Sequence, residues 1–308
     1  MIYDLAIIGG GPAGVAAGVY AARKKLNTLF ITKDFGGQSI VSPAIHNWIG
    51  EPTIAGSELA KKLENHLRQY ENNSLKIITG ETATSVTGQA GNFKIETEQK
   101  TYQTKTVLVT TGSNRRRLPA TGADQFEHKG LTYCASCDGP MFADQDVAVI
   151  GGGNAGFETA TQLLAYCKSV TLIHRRSEFK ADAITIEKVK ANPKMTIITE
   201  ADILSVEGDN FVTGLTYKDK KTGQEKQLAV TGIFVEIGLL PNTEMVEDLI
   251  ALNQNKAIIT NPKNQKTETD GIWAAGDCTD GLYQQNNIAA GDAIKALEDI
   301  YTYIKINL

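Results

Sequence analysis

The chain has 308 residues, 42% of them hydrophobic and 21% charged, with a formal net charge of −4. These values exclude a disordered chain, a collagen and a small disulfide-stapled scaffold. At roughly 100–200 residues per domain, the length predicts two domains with sizeable cores. The slight negative charge gives no general attraction for nucleic acid, and we expect no nucleic-acid partner.

The chain opens with the pattern of a βαβ unit, which is a strand, a glycine-rich turn, a helix and a second strand. We predict the first strand over residues 5–8, the helix over 12–24 and the second strand over 28–31. Residues 5–22 carry no charge, but their five glycines and one proline argue against a membrane span. We therefore expect no membrane association.

The first turn reads Gly9-Gly10-Gly11-Pro12-Ala13-Gly14, a G-x-G-x-x-G pattern. In dinucleotide-binding folds the first glycine permits a tight turn, and the second lets the backbone approach a pyrophosphate. The third lets helix and strand pack closely. The helix N-terminus adds N–H donors. This context favours a dinucleotide site, and the alternative is a glycine turn without a ligand.

Further helices and strands follow, and a second βαβ pattern begins near residue 147. Helices are predicted over 58–70, with Leu59, Leu63 and Leu67 on one face, over 157–166, and over 287–303, with Ile288, Ile294, Leu297 and Ile300 as apolar positions. Strands are predicted over 107–110, 147–150, 170–173, 195–199, 204–207, 212–217, 227–230 and 271–275, and short alternating strands from 76 to 102. The spacing of the two patterns is too long for a solenoid repeat and indicates two similar nucleotide-binding domains.

The second turn also fits G-x-G-x-x-G, with the sequence Gly151-Gly152-Gly153-Asn154-Ala155-Gly156. The strand after it ends in His174-Arg175-Arg176, where an acid would suit a ribose 2′-hydroxyl and arginines suit a 2′-phosphate. This favours NADPH over NADH, although a solvated surface cluster is the alternative. Two dinucleotide sites suggest an electron path from a nicotinamide to a flavin.

Four cysteines are too few for a disulfide-built secreted protein of this size, and we expect a cytoplasmic location. Cys134 and Cys137 form a C-x-x-C pair followed by Asp138, a candidate proton donor or acceptor. The pair favours a redox disulfide over a structural zinc site, because no second ligand pair exists, and over two unconnected cysteines. We predict no metal. Cys167 reads as a core residue, and we assign no chemistry to Cys278.

Taken together, these motifs resemble the low-molecular-weight, bacterial-type thioredoxin reductases, which are class II pyridine nucleotide-disulfide oxidoreductases, over the full length. The resemblance rests on residues 9–14, 36–38, 111–112, 134–138, 151–156, 174–176, 238–241 and 275–277. It implies an α/β fold with two Rossmann-like domains. An FAD domain would comprise 1–114 and 246–308, with an NADPH domain, 115–245, inserted and carrying the cysteine pair. It also implies a homodimer whose two domains rotate.

The resemblance assigns a role to each matching position. The FAD residues would be Gly9, Gly11, Pro12, Ala13, Gly14, Gly37, Gln38, Asn47, Thr111, Gly112, Gly276, Asp277, Gln284 and Gln285. The NADPH residues would be Gly151, Gly153, Asn154, Ala155, Gly156, His174, Arg175 and Arg176. Cys137 would face the flavin, Cys134 would attack the substrate disulfide, and Asp138 would be the acid. Gln284 departs from the family pattern, which usually has an arginine or lysine there.

The implied activity is that of a thioredoxin-disulfide reductase, passing electrons from NADPH through FAD and the cysteine pair to thioredoxin or a thioredoxin-like protein. The stretch 232–243 also resembles the flavoprotein reductases of alkyl hydroperoxide systems. In that case a separate small redox partner is expected in place of that family's N-terminal thioredoxin-like domain. That family generally has an acid where Arg175 and Arg176 stand. The remaining alternatives are a dithiol oxidase or NADPH oxidase and a flavin-binding interaction or sensor protein.

Overall fold

The computed structural model describes residues 2–42, 44–72 and 74–308. The α-helices of these residues are α1 (Pro12–Arg23), α2 (Gly56–Arg68), α3 (Ala135–Asp138), α4 (Asn154–Leu163), α5 (Ala183–Lys190) and α6 (Asn286–Asn307). Short 3-10 helices span Gly37–Val41, Asp124–Phe126, Gly139–Phe142 and Glu244–Val246. No helix in the described ranges is long and apolar enough to cross a membrane.

The strands, in chain order, are β1 (Ile2–Ile8), β2 (Thr28–Thr32), β3 (Leu75–Thr79), β4 (Ala83–Gln89), β5 (Asn92–Thr97), β6 (Thr101–Val109), β7 (Ser113–Arg115), β8 (Leu131–Thr132), β9 (Asp146–Ile150), β10 (Ser169–His174), β11 (Met195–Thr199), β12 (Ala201–Gly208), β13 (Val212–Asp219), β14 (Glu225–Ala229), β15 (Gly232–Val235), β16 (Leu239–Pro241) and β17 (Ile272–Ala274).

The chain forms two compact units, each with its own core. One unit comprises Met1–Asn114 and Leu240–Leu308, and the other is the continuous insertion Arg115–Leu239. The chain therefore returns from the inserted unit to the first unit between residues 239 and 240, six residues before the predicted boundary at 245/246. The reason is that Asn242 belongs to the first unit, where it accepts a hydrogen bond from the Thr111 hydroxyl at 2.5 Å and donates one to the Thr111 carbonyl at 3.0 Å.

The first unit is built on a sheet in the order β3-β2-β1-β6-β5-β4, with β17 beside β6. Strands β3, β2, β1, β6 and β17 run parallel, while β4 and β5 continue as an antiparallel meander. Helices α1 and α6 cover one face. The small residues of α1 let it lie close to the sheet, where Gly18 meets Phe30 and Leu67. This packing brings the N-terminus of α1 to the carboxyl edge of the strands.

The second unit has a wholly parallel sheet in the order β11-β10-β9-β15-β8 and a separate antiparallel sheet β12-β13-β14. Strands β11, β10, β9 and β15 are arranged in the same spatial order as β3, β2, β1 and β6 of the first unit. The edge strand β8 occupies the position of β17, but it precedes β9 in the chain, whereas β17 follows β6. Two Rossmann-like units, as predicted, are therefore confirmed. Buried Val147, Val149 and Leu172 pack with Phe157 of α4 in its core.

Some predicted elements differ from the observed ones. Helix α4 begins at Asn154 and not at 157, because the last three residues of the glycine motif already form its first turn. In α6, Ile288 is exposed, and Ala289, Ala293 and Ala296 face the core instead. Small residues at these positions let α6 pack against α1. Neither α5 nor the short strands β8 and β15 were expected from the sequence patterns.

Candidate functional site

The first glycine turn joins β1 to α1, and two of its glycines are required by the protein itself. Gly9 has φ +119°, and a Cβ there would overlap the carbonyl of Thr110. A Cβ on Gly14 would overlap the carbonyl of Gly9, so this glycine lets the helix approach the strand. These are the tight-turn and close-packing roles expected of the first and third glycines.

Gly11 is different, because none of the residues that the structure describes requires a glycine at this position. Its φ of −75° and ψ of −176° are open to any residue, and no atom of the described residues lies within 4 Å of where its Cβ would stand. It precedes α1, whose N-terminus has no side-chain cap. Bare backbone therefore faces open space beside free N–H donors, which is the arrangement that a pyrophosphate needs.

Other residues predicted for FAD collect around this turn. A Cβ built on Gly37 would lie 3.5 Å from the Cα of Gly11. A Cβ built on Gly276 would lie 3.4 Å from the Cβ of Ala13. Gln38 donates hydrogen bonds to the carbonyl and the hydroxyl of Ser113, directly after Gly112. The structure therefore brings together the residues Gly9, Gly11, Pro12, Ala13, Gly14, Gly37, Gln38, Thr111, Gly112 and Gly276, and Asp277 directly follows Gly276 in the chain.

The remaining FAD candidates lie beside the N-terminus of α6. Asn47 donates to the side chain of Gln285 at 2.9 Å, and its carbonyl accepts from Asn287 at 2.7 Å. Gln284 instead donates to the carbonyl of Gly281 in its own loop, at 3.1 Å. The Asn47–Gln285 pair therefore ties the loop around residue 47 to α6.

The second glycine turn repeats the geometry of the first within the inserted unit. Gly151 has φ +130°, and its Cβ would overlap the carbonyl of Glu236, while a Cβ on Gly156 would overlap the carbonyl of Gly151. Gly153 again has ordinary angles, φ −95° and ψ −177°, and a Cβ built on it would have no atom of the described part of the chain within 4 Å. It precedes the uncapped N-terminus of α4 at Asn154.

The end of β10 lies beside this second turn through His174, which two arginines follow in the chain. Arg175 and Arg176 are exposed, whereas the half-buried His174 ring packs against Gly152. Its Nε2 lies 3.0 Å from the carbonyl of Glu178, and burial lowers the His174 pKa. Lys180, which the sequence reasoning missed, donates its backbone N–H to Gly152 at 2.9 Å. The contact is made by the backbone, so no side-chain pattern in the sequence could have signalled it.

The cysteine pair follows β8 and is closed. Cys134 and Cys137 form a disulfide with a Cα–Cα distance of 5.3 Å, and both are half-buried. Cys134 is the N-cap of α3, where its Sγ accepts from the backbone N–H of Cys137 at 3.2 Å. Asp138 accepts a hydrogen bond from the hydroxyl of Thr132. A cysteine at a helix N-terminus has the setting that stabilises a thiolate.

Two charged residues that sequence reasoning did not assign lie in the same unit. Arg115 donates to the carbonyl of Tyr133, and its guanidinium lies 5.9 Å from the centre of the Tyr133 ring. Glu236 follows β15 and accepts from the Thr159 hydroxyl at 2.8 Å. Burial raises the Glu236 pKa to about 7, and the charge of Arg115 opposes that rise. A lone acid closing an apolar strand was the signal for Glu236.

The other two cysteines have no such setting. Cys167 and Cys278 are free and buried, and burial raises the pKa of each to about 11. They are therefore protonated core residues at neutral pH, as expected for Cys167. Among the described residues, no cluster of three or more histidine, cysteine or acidic side chains could hold a metal ion.

Comparison with known proteins gives a consistent result. The family model for pyridine nucleotide-disulphide oxidoreductases matches residues 3–293. The chain is 37% identical to the NADH dehydrogenase of Bacillus subtilis and 38% identical to an alkyl hydroperoxide reductase protein of Staphylococcus epidermidis. Each match covers 98% of this chain but only 58% and 59% of those proteins. The chain thus spans less than two thirds of these curated relatives.

A solved structure matches at nearly full length. Thioredoxin reductase from Streptococcus pyogenes is 34% identical, with a TM-score of 0.90, covering 99% of this chain and 98% of that one. This confirms the resemblance and the fold inferred from the motifs. The chain belongs to the pyridine nucleotide-disulphide oxidoreductases, a family of enzymes that use FAD and NADPH.

Proposed function

We propose that this protein is an NADPH-dependent flavoprotein disulfide reductase acting on thioredoxin or a thioredoxin-like protein. One observation carries the proposal, which is that the Cys134–Cys137 disulfide follows β8 while the second glycine turn follows β9. Both strands pair in parallel with β15, so the redox disulfide and the dinucleotide cradle share one sheet edge. The full-length match to a thioredoxin reductase supports the same activity.

The two glycine turns would hold the two dinucleotides. Gly9, Gly11 and Gly14, with the N-terminus of α1, would bind the FAD pyrophosphate, and the residues gathered around them would hold the rest of FAD. Gly153 and α4 would bind the NADPH pyrophosphate, with Arg175 and Arg176 on its 2′-phosphate. When bound, FAD supplies the electron relay between NADPH and the disulfide. The unit of Met1–Asn114 with Leu240–Leu308 would accordingly be the FAD domain, and Arg115–Leu239 would be the NADPH domain.

The cysteine pair would then carry out thiol–disulfide exchange. In the reduced pair, the Cys134 thiolate attacks one sulfur of the partner disulfide, so a mixed disulfide forms and the partner's other sulfur leaves as a thiolate. Cys137 then attacks Cys134 Sγ, which restores the disulfide and releases the partner as a dithiol. Two electrons pass to the partner, and Asp138 would supply a proton to a leaving sulfur. We further propose a homodimer in the cytoplasm.

Replacing Cys137 tests this function. Cys137→Ser should retain bleaching of the flavin by NADPH under anaerobic conditions but lose reduction of thioredoxin. Ser136→Ala, in the same loop, is the matched control. In the wild type, NADPH should release two thiols per chain from Cys134 and Cys137. Unchanged thioredoxin turnover in Cys137→Ser would refute the function, and bleaching without new thiols would indicate an oxidase.

A second candidate function is the reductase of a peroxide-removing system, favoured by the 38% identity to an alkyl hydroperoxide reductase protein over 98% of this chain. The two functions differ in the acceptor that receives electrons from the cysteine pair. Peroxide removal by a peroxiredoxin should be measured with and without thioredoxin, using NADPH and then NADH. Efficient removal without thioredoxin would favour the second candidate.

A further inference from the structure

Glu236 lies where the strand order of the inserted sheet reverses. The chain runs from β9 outward to β10 and β11 and then returns to β15 on the other side of β9. Glu236 directly follows β15, its N–H donates to the carbonyl of Ile150 at 2.8 Å, and its own carbonyl packs against Gly151. In open parallel sheets, dinucleotides bind across the crevice at this reversal.

The ends of the neighbouring strands give a bound dinucleotide its direction. Arg175 and Arg176 follow β10, on one side of the glycine turn, and would hold the adenosine end through its 2′-phosphate. An extended dinucleotide whose pyrophosphate lies at Gly153 would therefore run its nicotinamide half toward β15 and Glu236. Beyond β15 lies β8, followed by the cysteine pair.

The carboxylate of Glu236 is held in a partly desolvated place. Its Oε1 accepts from Thr159, a buried residue of α4, and its side chain is half-buried. Among the residues that the structure describes, the charged groups that act on it are Arg115 of β7 and the exposed Glu158 of α4. Arg115 is also engaged by the Tyr133 carbonyl. A charge in such a place interacts more strongly with a ligand than an exposed charge does.

The two redox forms of the ligand differ in one relevant way, because the oxidised nicotinamide ring carries a positive charge and the reduced ring is neutral. We propose that Glu236 is a specificity-determining residue whose carboxylate favours the oxidised, cationic nicotinamide over the reduced, neutral one. This inference rests on the proposed pyridine nucleotide site.

The preference should depend on pH in a defined direction. Since burial places the Glu236 pKa at about 7, the carboxyl is neutral below that pH and charged above it. The preference for the cationic ring should therefore grow as the pH rises through 7. By linkage, binding of the oxidised form should lower the pKa of Glu236, and binding of the reduced form should not.

Calorimetric titration of the FAD-loaded protein tests this with three ligands. They are NADP⁺, its tetrahydronicotinamide analogue, which has a neutral ring that cannot donate hydride, and adenosine 2′,5′-bisphosphate, which has no nicotinamide. The ratio of the NADP⁺ affinity to that of the analogue should rise by about three- to tenfold between about pH 6 and about pH 8. Because both ligands share the adenosine end, the ratio cancels effects of the phosphates and of His174.

Two variants test whether Glu236 causes the rise of the affinity ratio with pH. Glu236→Gln should abolish the rise in the ratio, whereas Glu158→Gln, which removes the exposed neighbouring acid, should retain it. The bisphosphate should bind equally to all three proteins. A flat ratio in the wild type, or a rise that persists in Glu236→Gln, would overturn the role of Glu236 while the proposed function stands. Failure of the bisphosphate to bind the wild type would remove the pyridine nucleotide site itself, and both proposals with it.

Discussion

Thr132 donates a hydrogen bond to the carboxylate of Asp138, which ties the end of β8 to the end of the helix that carries the cysteine pair. The bond spans six residues, and the backbone N–H of Asp138 also donates to the carbonyl of Cys134 at 3.0 Å, so the acid stays within one helical turn of the disulfide. A carboxyl held in this way can deliver a proton to a departing thiolate without first searching for its position.

Asp138→Asn should therefore slow reduction of a protein disulfide by about a hundredfold or more. The variant keeps the size of the side chain and can still accept the Thr132 hydrogen bond, but it cannot supply a proton. Anaerobic bleaching by NADPH should be unchanged, because that step does not use Asp138. Stopped-flow measurement of both steps checks the prediction, with Ser136→Ala as control. Equal slowing of both steps would point to a structural role.

Gly11→Ala and Gly153→Ala should separate ligand binding from folding. Since each Cβ would enter open space at ordinary backbone angles, we expect a loss of no more than about 1 kcal/mol in the free energy of unfolding. Binding should nevertheless fail, of FAD in the first variant and of the pyridine nucleotide in the second. Flavin content, nucleotide titration and urea unfolding measure the three quantities.

Gly14→Ala and Gly156→Ala are the matched controls for those variants. Their Cβ atoms would overlap the carbonyls of Gly9 and Gly151, so helix and strand must separate. We expect these controls to lose about 1–3 kcal/mol or more of stability. If Gly11→Ala and Gly153→Ala destabilise the protein as much as the controls do, the open space at these glycines is not a ligand cradle.

Replacing Arg175 and Arg176 together by alanine should weaken NADPH binding and leave NADH binding nearly unchanged. Only NADPH has the 2′-phosphate that these exposed guanidinium groups would contact. We expect an affinity loss of about ten- to a hundredfold for NADPH. Lys218→Ala removes an exposed cation of β13 and is the control for general charge. An equal loss for both nucleotides would contradict the assignment.

Glu236→Gln should change stability in a pH-dependent way in the absence of nucleotide. Burial raises the pKa of Glu236 from 4.5 to about 7. The folded protein therefore holds this proton more tightly than the unfolded chain, and the free energy of unfolding falls as the pH rises from 4.5 through 7. The variant lacks this titration, so its free energy of unfolding should exceed that of the wild type by on the order of 1–3 kcal/mol at about pH 8. Near pH 4 the two free energies should be equal.

Urea unfolding of wild type and Glu236→Gln at both pH values measures this difference. Glu158→Gln, which removes an exposed acid on α4, should follow the wild type at each pH. A stability difference that is the same at both pH values would show that the glutamine acts through packing or through its bond to Thr159. The raised pKa of Glu236 would then not be the cause.

Much of the site follows from local sequence. The glycine turns can be recognised because tight turning, close packing and backbone exposure each favour glycine at a fixed spacing. The structure shows the first two requirements at Gly9 and Gly14. The C-x-x-C pair can be recognised as a redox pair because two intervening residues suffice to close a disulfide. The helix of 58–70 could be predicted because Leu59, Leu63 and Leu67 repeat at the helical period. The observed helix α2 spans Gly56–Arg68.

By itself, the sequence thus determined the two dinucleotide-type turns, the redox pair and the basic strand end, because each is made by residues adjacent in the chain. Only the tertiary structure decided that Glu236 closes over Gly151 and that Gln38 bonds to Ser113. Those residues lie far apart in the chain and meet because parallel strands bring their carboxyl ends to one edge. Short strands such as β8 carry too few residues for a pattern, so their place depends on the partners they pair with.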